Sequence, residues 1–180
     1  MAVTRTIRLE KELDDVLQKI AKDERVTVNS IVNKSLRKYV DWDRHADKFG
    51  MLVVRPAVLA ELMERQSLDE ARELGRLSVK NGLKPTISYM FVDFSLPNVI
   101  EFLRRFSKYS GRYSFEDSVD GRKHVILMRH ALGLKWSAYY EGVLKGIFDD
   151  ELGIKIKVSV GPETCIGQFE LPLSGERDRI

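Results

Sequence analysis

The chain opens on an alternation of polar and apolar positions. Residues 4–9 read Thr-Arg-Thr-Ile-Arg-Leu, with Ile7 and Leu9 on one parity and Thr4, Thr6 and Arg8 on the other. Period two predicts a short strand with one apolar and one polar face. The period then lengthens. Leu13, Val16, Leu17, Ile20 and Ala21 recur at helical spacing, which predicts a helix over 11–25, and Glu12, Asp14 and Asp15 suit the positive end of its dipole. Thr27 is placed to cap a second helix whose apolar stripe is Ile31, Val32, Leu36, Tyr39 and Val40. One short strand and two helices cannot bury a core alone, since below about 40 residues a fold needs a staple or a partner. A single strand also leaves two open edges. The simplest solution is a second copy: two strands pair antiparallel and four helices close over their apolar face. This unit is placed at residues 1–44. The charged stretch 42–50, which ends in Gly50, reads as a frayed helix end leading into a linker placed at 45–55, with His45 expected to be exposed.

A second domain is expected over residues 56–175. Helices are predicted at 56–66 and 68–81, with Pro56 in a first turn, Ser67 and Glu70 as a capping box, and Asn81-Gly82 as a stop. Thr86 to Phe94 reads as a strand. A helix over 97–109 follows, then a hairpin of 113–118 and 123–130 about Asp120-Gly121. A helix over 134–150 and strands over 154–160 and 164–171 complete the pattern. The predicted order is βαββαβ with one extra strand, preceded by two helices, an α+β fold of ferredoxin-like type.

Composition narrows the class. At 43% hydrophobic residues the 180-residue chain carries too much apolar surface for a disordered protein. A single Cys excludes an internal disulfide framework and a multi-Cys zinc site, and points to a reducing compartment. No apolar run approaches the roughly 18 residues of a membrane span. A soluble, cytoplasmic protein with no membrane partner is therefore expected. The net charge of +3 does not by itself suggest nucleic acid.

The order of elements does suggest it. The alternating strand at 4–9, the helix over 11–25, and the turn Val-Thr-Val-Asn-Ser-Ile-Val at 26–32 resemble the ribbon-helix-helix superfamily of DNA-binding proteins, which contains the Arc and MetJ repressors and CopG-type proteins. The resemblance covers residues 4–42. It departs from the family in the inter-helix turn, where Arg25 or Val26 stands in place of the frequent Gly, so a slightly different turn is expected. The resemblance implies a dimeric β-ribbon that enters the major groove of double-stranded DNA. Thr4, Thr6 and Arg8 would face the bases, Arg reading guanine and Thr either base type or a thymine methyl. Thr27, Val28, Asn29 and Ser30, at the start of the second helix, would hold a backbone phosphate.

The second domain shows no phosphate-binding Gly motif, nucleophile elbow or zinc-binding His pair, so no enzyme and no required cofactor are expected. Nickel-responsive regulators also join a ribbon-helix-helix to a ferredoxin-like domain. Their clustered His and Cys spacing is not reproduced by His124, His130 and Cys165, because six residues of strand separate the two His by roughly 20 Å. No metal site is expected there. Arg129, His130, Lys135, Trp136, Tyr139 and Tyr140 could line an anion or small-molecule pocket. Gly142 and Gly146, at i and i+4, imply a flat strip against which another backbone packs, with a subunit interface as one place for it.

These observations point to a homodimeric, or tetrameric, sequence-specific transcriptional regulator whose C-terminal domain oligomerises, senses a small-molecule effector, or both. The alternative is an antitoxin-like repressor whose C-terminal domain captures a partner protein. An enzyme tethered to DNA and a sequence-blind binder are weaker readings. Residues 1–50 carry 11 Lys+Arg against 9 Asp+Glu. DNA affinity should then rest on a small oriented face. The slope of log affinity against log salt, measured with a duplex in titrations at stepped salt, should stay well short of the roughly −10 of a binder neutralising many phosphates.

Overall fold

The computed structural model describes residues 3–171. The expected end of the second domain, 175, lies outside them. The chain forms two compact units, Met1–Lys48 and Phe49–Ile180.

In the first unit, residues 3–10 are exposed and carry no regular secondary structure. A strand needs a neighbour to satisfy its N–H and C=O groups, and no other strand among the described residues pairs with this segment. Helix α1 spans Lys11–Asp23. It ends in a Schellman motif: the Arg25 N–H donates to Lys22 O at 3.3 Å and the Val26 N–H to Ala21 O at 2.9 Å. Arg25 sits at φ 55°, in the left-handed region where glycine is usual. Helix α2, Val28–Lys38, is capped by Thr27, whose hydroxyl accepts the Ser30 N–H at 3.1 Å. A widened π turn, Tyr39–Asp43, carries the helical path on into α3, Arg44–Lys48. This continuation corrects one expectation. His45 is helical and buried, 8% exposed, and not a surface residue of a linker.

In the second unit, α4 spans Pro56–Glu64 and begins on Pro56. Helix α5, Leu68–Ser78, begins on the expected capping box, with Ser67 and Glu70 bonded reciprocally at 3.2 and 2.7 Å. The stop expected at Asn81-Gly82 does not occur. The chain passes through a π turn, Val79–Leu83, into α6, Lys84–Phe91. The strand expected over 86–94 is therefore mostly helix. Leu83, Ile87, Met90 and Phe91 also fit an i, i+4, i+7, i+8 stripe, and Ile87 is fully buried along it. Pro85 sits in the first turn, where its missing N–H costs nothing. Val92, at φ 75°, ends α6. Helix α7, Leu96–Ser110, follows and ends at Gly111 in the left-handed region.

Two hairpins complete the unit. Strands β1, Ser114–Asp120, and β2, Lys123–Arg129, join through the two-residue turn Gly121-Arg122. Helix α8, Leu134–Lys145, extends through a π turn, Gly146–Glu151. Strands β3, Ile156–Gly161, and β4, Thr164–Glu170, form the second hairpin. Among the described residues the sheet is antiparallel in the order β1-β2-β4-β3. The fold is α+β, but the expected βαββαβ order is replaced by two helix-then-hairpin halves, α7-β1-β2 and α8-β3-β4.

The sheet buries one face. Ile126, Met128, Cys165 and Phe169 are buried on it, and Arg129, Gln168 and Lys157 lie exposed on the other. Helix α8 covers the buried face. A Cβ on Gly167 would meet the Leu144 side chain at 3.1 Å. The other side of α8 meets α5 backbone to backbone. A Cβ on Gly142 would lie 1.9 Å from Arg72 O, and one on Gly75 would lie 2.2 Å from Tyr139 O. Gly146 faces Arg76 and Val79, also in this chain. The flat strip read from Gly142 and Gly146 thus packs within the chain and not across a subunit interface.

Because both obstacles are backbone atoms, no rotamer change can make room for a methyl group. Gly142→Ala should destabilise the second unit by about 3 kcal/mol, the upper end of ordinary overpacking. Urea unfolding monitored by Trp fluorescence will measure it, with Gly82→Ala, where nothing lies within 4 Å of the added Cβ, as the neutral comparison.

Candidate functional site

The residues singled out for DNA lie on the exposed surface of the first unit. Thr4, Thr6 and Arg8 are all exposed on the segment before α1, which carries no regular secondary structure. Pairing of this segment as a strand would put the three on one parity, opposite to Ile7 and Leu9. At the start of α2, Thr27, Asn29 and Ser30 are exposed and Val28 half-exposed. The Asn29 Oδ1 accepts from Asn33 Nδ2 at 3.1 Å, which holds its amide along the helix. The N–H groups of a helix's first turn have no carbonyl of their own helix to meet, so an oxyanion can take them.

The unit leaves its apolar stripes uncovered. Ile7 is 54% exposed, Val16 55%, Leu36 56% and Val40 52%, with Leu9, Leu13 and Ile20 also exposed. Covering a side chain of this size completely stabilises by roughly 1.5–3 kcal/mol.

The six residues expected to form an effector pocket separate into two groups. Arg129 is exposed on the outer face of the sheet, beside Glu116, to which it is ion-paired. Lys135 is held by Glu64 at the end of α4. Neither joins the others. The Trp136 Nε1–H donates to Leu59 O at 2.9 Å, which ties α8 to α4. His130 is buried. The Leu132 N–H donates to its Nδ1 at 3.2 Å, so its Nε2–H is the proton that donates to Ser137 Oγ at 3.0 Å. Burial, opposed by the Glu163 charge, keeps the ring's pKa below its ordinary value, so it is neutral at pH 7.

Tyr139 and Tyr140 do meet at a hollow. Leu83, Phe102, Phe106, Met128 and Val143 line it with them, and Arg112 and Tyr113 close it. The Tyr113 hydroxyl donates to Leu103 O at 3.2 Å and that of Tyr139 to Ser78 Oγ at 3.0 Å. The Tyr140 hydroxyl is buried and has no partner among the described residues. The Arg112 guanidinium rests 5.3 Å from the centre of the Phe106 ring. No carboxylate among the described residues pairs with it. Sequence reasoning missed Arg112, because a cation just after a helix-ending Gly111 looks like any solvated turn residue.

The low-weight metal candidates do not converge. His124 stacks on Phe169 at 4.7 Å, toward the hairpin end of the sheet, and His130 lies past the opposite end of β2. Cys165 is fully buried beside Met128, and burial, with the nearby Glu141 charge, pushes its thiol up to about 12. Among the described residues no group of three or more His, Cys, Asp and Glu is placed to hold a metal ion. No helix among them is long and apolar enough to cross a membrane. A scan against protein-family models and a search of curated proteins find no match to this chain.

One ionic group holds the two glycine-packed helices in register. Glu141 on α8, 8% exposed, accepts from Arg72 Nε on α5 at 2.7 Å and from Lys145 Nζ at 2.7 Å. Burial raises its pKa, but the Arg72 and Lys145 hydrogen bonds and charges more than offset that, so it lies below the ordinary value. A carboxyl group depressed in the folded state stabilises above its unfolded pKa and loses that contribution as pH falls through its folded pKa. Glu141→Gln should therefore cost about 2 kcal/mol at pH 7. In thermal melts from pH 7 to 3, the gap to wild type should hold down to about pH 4.5 and close below it.

Proposed function

We propose that the chain is a sequence-specific DNA-binding transcriptional regulator acting as a homodimer or a pair of dimers. Its C-terminal unit oligomerises, senses a small-molecule effector, or does both. The observation that carries this reading is the uncovered apolar stripe of the first unit, joined to an alternating segment that no strand among the described residues pairs with. Ile7 and Leu9 share that exposure with Leu13, Val16, Ile20, Leu36 and Val40. A second copy meets both needs at once. Its segment supplies the missing hydrogen bonds, and its helices cover the stripe, which is the ribbon-helix-helix arrangement.

In that dimer the side chains of Ile7 and Leu9 turn toward the helices. Thr4, Thr6 and Arg8 of each copy then line the opposite face of a two-stranded ribbon, which is narrow enough for the major groove. The start of α2, with Thr27 as cap, lies ready for a backbone phosphate on either side. Base readout and phosphate anchoring thus fall to separate residues, and they separate experimentally.

The test is selection of bound duplexes from a random pool, followed by affinity measurements at fixed salt. A palindromic consensus with half-sites about one helical turn apart is expected for a pair of ribbons. Arg8→Ala should weaken the selected site by about tenfold or more, as a lost bidentate base contact does, and leave random duplex nearly unchanged. Asn29→Ala should weaken both alike. No enrichment from the pool, or equal loss on both duplexes for Arg8→Ala, rejects the base-reading role.

A further inference from the structure

We propose that the hollow between α7, β2 and α8 is a binding site for a small organic acid with an apolar body. The carboxylate takes the hydrogen bond of the Tyr140 hydroxyl and pairs with Arg112. The proposal rests on the effector reading above and names the ligand's class.

Three observations carry it. The walls are apolar, with Leu83, Phe102, Phe106, Met128 and Val143 contributed by four separate elements of the second unit. Such a lining selects an apolar body. Tyr140 is part of that lining, and its hydroxyl, a strong donor, is buried and bonds to nothing among the described residues. Buried polar groups are nearly always satisfied, so an orphan in a pocket wall marks where a ligand atom belongs. Its two neighbours show that the fold can satisfy such a hydroxyl: Tyr113 reaches Leu103 O and Tyr139 reaches Ser78 Oγ. The third observation is charge. Arg112 lines the same hollow and stacks on Phe106 with no carboxylate partner among the described residues. Its field reaches all three tyrosines, and it favours the ionised form of Tyr113, Tyr139 and Tyr140 against the burial that opposes it. A donor and an uncompensated cation around an apolar hole are complementary to a carboxylate on a hydrocarbon or ring.

The hollow is narrow at present. It measures about 350 Å³ with its mouth, and only about 30 Å³ of that admits a water-sized body. A ring needs more, since a cavity of about 150 Å³ holds benzene. Leu83 is the wall that can yield. It is half-exposed and ends the π turn Val79–Leu83, where the regular helical ladder is already broken.

Benzoate and hexanoate serve as probes in calorimetric titrations of the full chain, with benzamide as the neutral isostere of benzoate. At least one acid is expected to bind once per chain, and benzamide about tenfold more weakly than benzoate. Arg112→Gln should bring benzoate down to the level of benzamide. Tyr140→Phe should weaken both about threefold or more without lowering the melting temperature, because it removes a stranded hydroxyl. Failure of both acids to bind wild-type protein overturns the proposal, as does equal binding of benzoate to wild type and Arg112→Gln. Operator affinity with and without the bound acid judges the effector reading separately. Binding that leaves DNA affinity unchanged keeps the site and removes its regulatory role, and a chain that selects no DNA sequence leaves the calorimetric result standing.

Discussion

The second unit depends on two helices approaching closer than side chains allow. Where α5 crosses α8, Gly75 and Gly142 each stand against the other helix's backbone, and a single added carbon would collide. Everything else in the unit is measured from that crossing. It sets α8 at the height at which Leu144 reaches Gly167 on the sheet, and it lets Arg72 reach Glu141. It also lines up the π turns that end α5 and α8, so that Arg76 pairs with Asp150 and, just beyond, Lys84 pairs with Glu151. The aromatic residues of α8 are then held above the buried face of the sheet, where Tyr139 and Tyr140 meet α7 and the hollow forms.

The first unit follows the opposite rule. Its local signals are all satisfied: a Thr27 cap, a Schellman ending to α1, an acidic first turn. What it lacks is cover for its apolar stripes: Ala21, Trp42 and His45 are buried, but Ile7, Val16, Leu36 and Val40 stay exposed. Local order with so little burial is marginal, because helices of this length draw most of their stability from tertiary contact. The proposed dimer would couple folding of the reading head to association. On the proposed reading, protein concentration would then set the fraction paired, and a DNA ligand bound only by the paired form would pull the equilibrium further.

How far each feature was legible depended on whether one period was available to read. The helices of residues 11–38, 56–78 and 96–110 were legible because their apolar residues fit one period and several ends are marked, by Thr27, by Pro56, by the Ser67–Glu70 capping box and by Gly111. The hairpins were legible because Lys155 and Lys157 alternate with apolar neighbours and Asp120-Gly121 marks a turn. The segment 83–91 was not. Ile87, Tyr89 and Phe91 satisfy period two while Leu83, Ile87, Met90 and Phe91 satisfy the helical period, and in the structure the segment is helix, continuing from the π turn Val79–Leu83. Missing that helix turned two helix-hairpin halves into a ferredoxin-like order. The candidate pocket was half legible for a related reason. Along β2 the run His124-Val-Ile-Leu-Met does not alternate, so nothing in the sequence told which parity faces inward. Met128 faces inward, and Arg129 is therefore carried to the outer face. Arg112 belongs to the hollow through tertiary placement alone. Gly142 and Gly146 announced a close approach correctly, but a glycine pattern does not say which backbone arrives.

The burial of Cys165 has a practical consequence for following this molecule. Burial pushes this thiol up to about 12, so thiolate is scarce at pH 7, and its fully buried position shields it as well. It is also the chain's one cysteine. The native protein is thus silent toward thiol reagents while folded. A cysteine placed on an exposed position, such as Lys11 or Lys34, would carry a fluorophore or spin label alone, with no need to remove the native sulfur. The distance between labels on two copies would then report whether first units come together, and how far apart they stand.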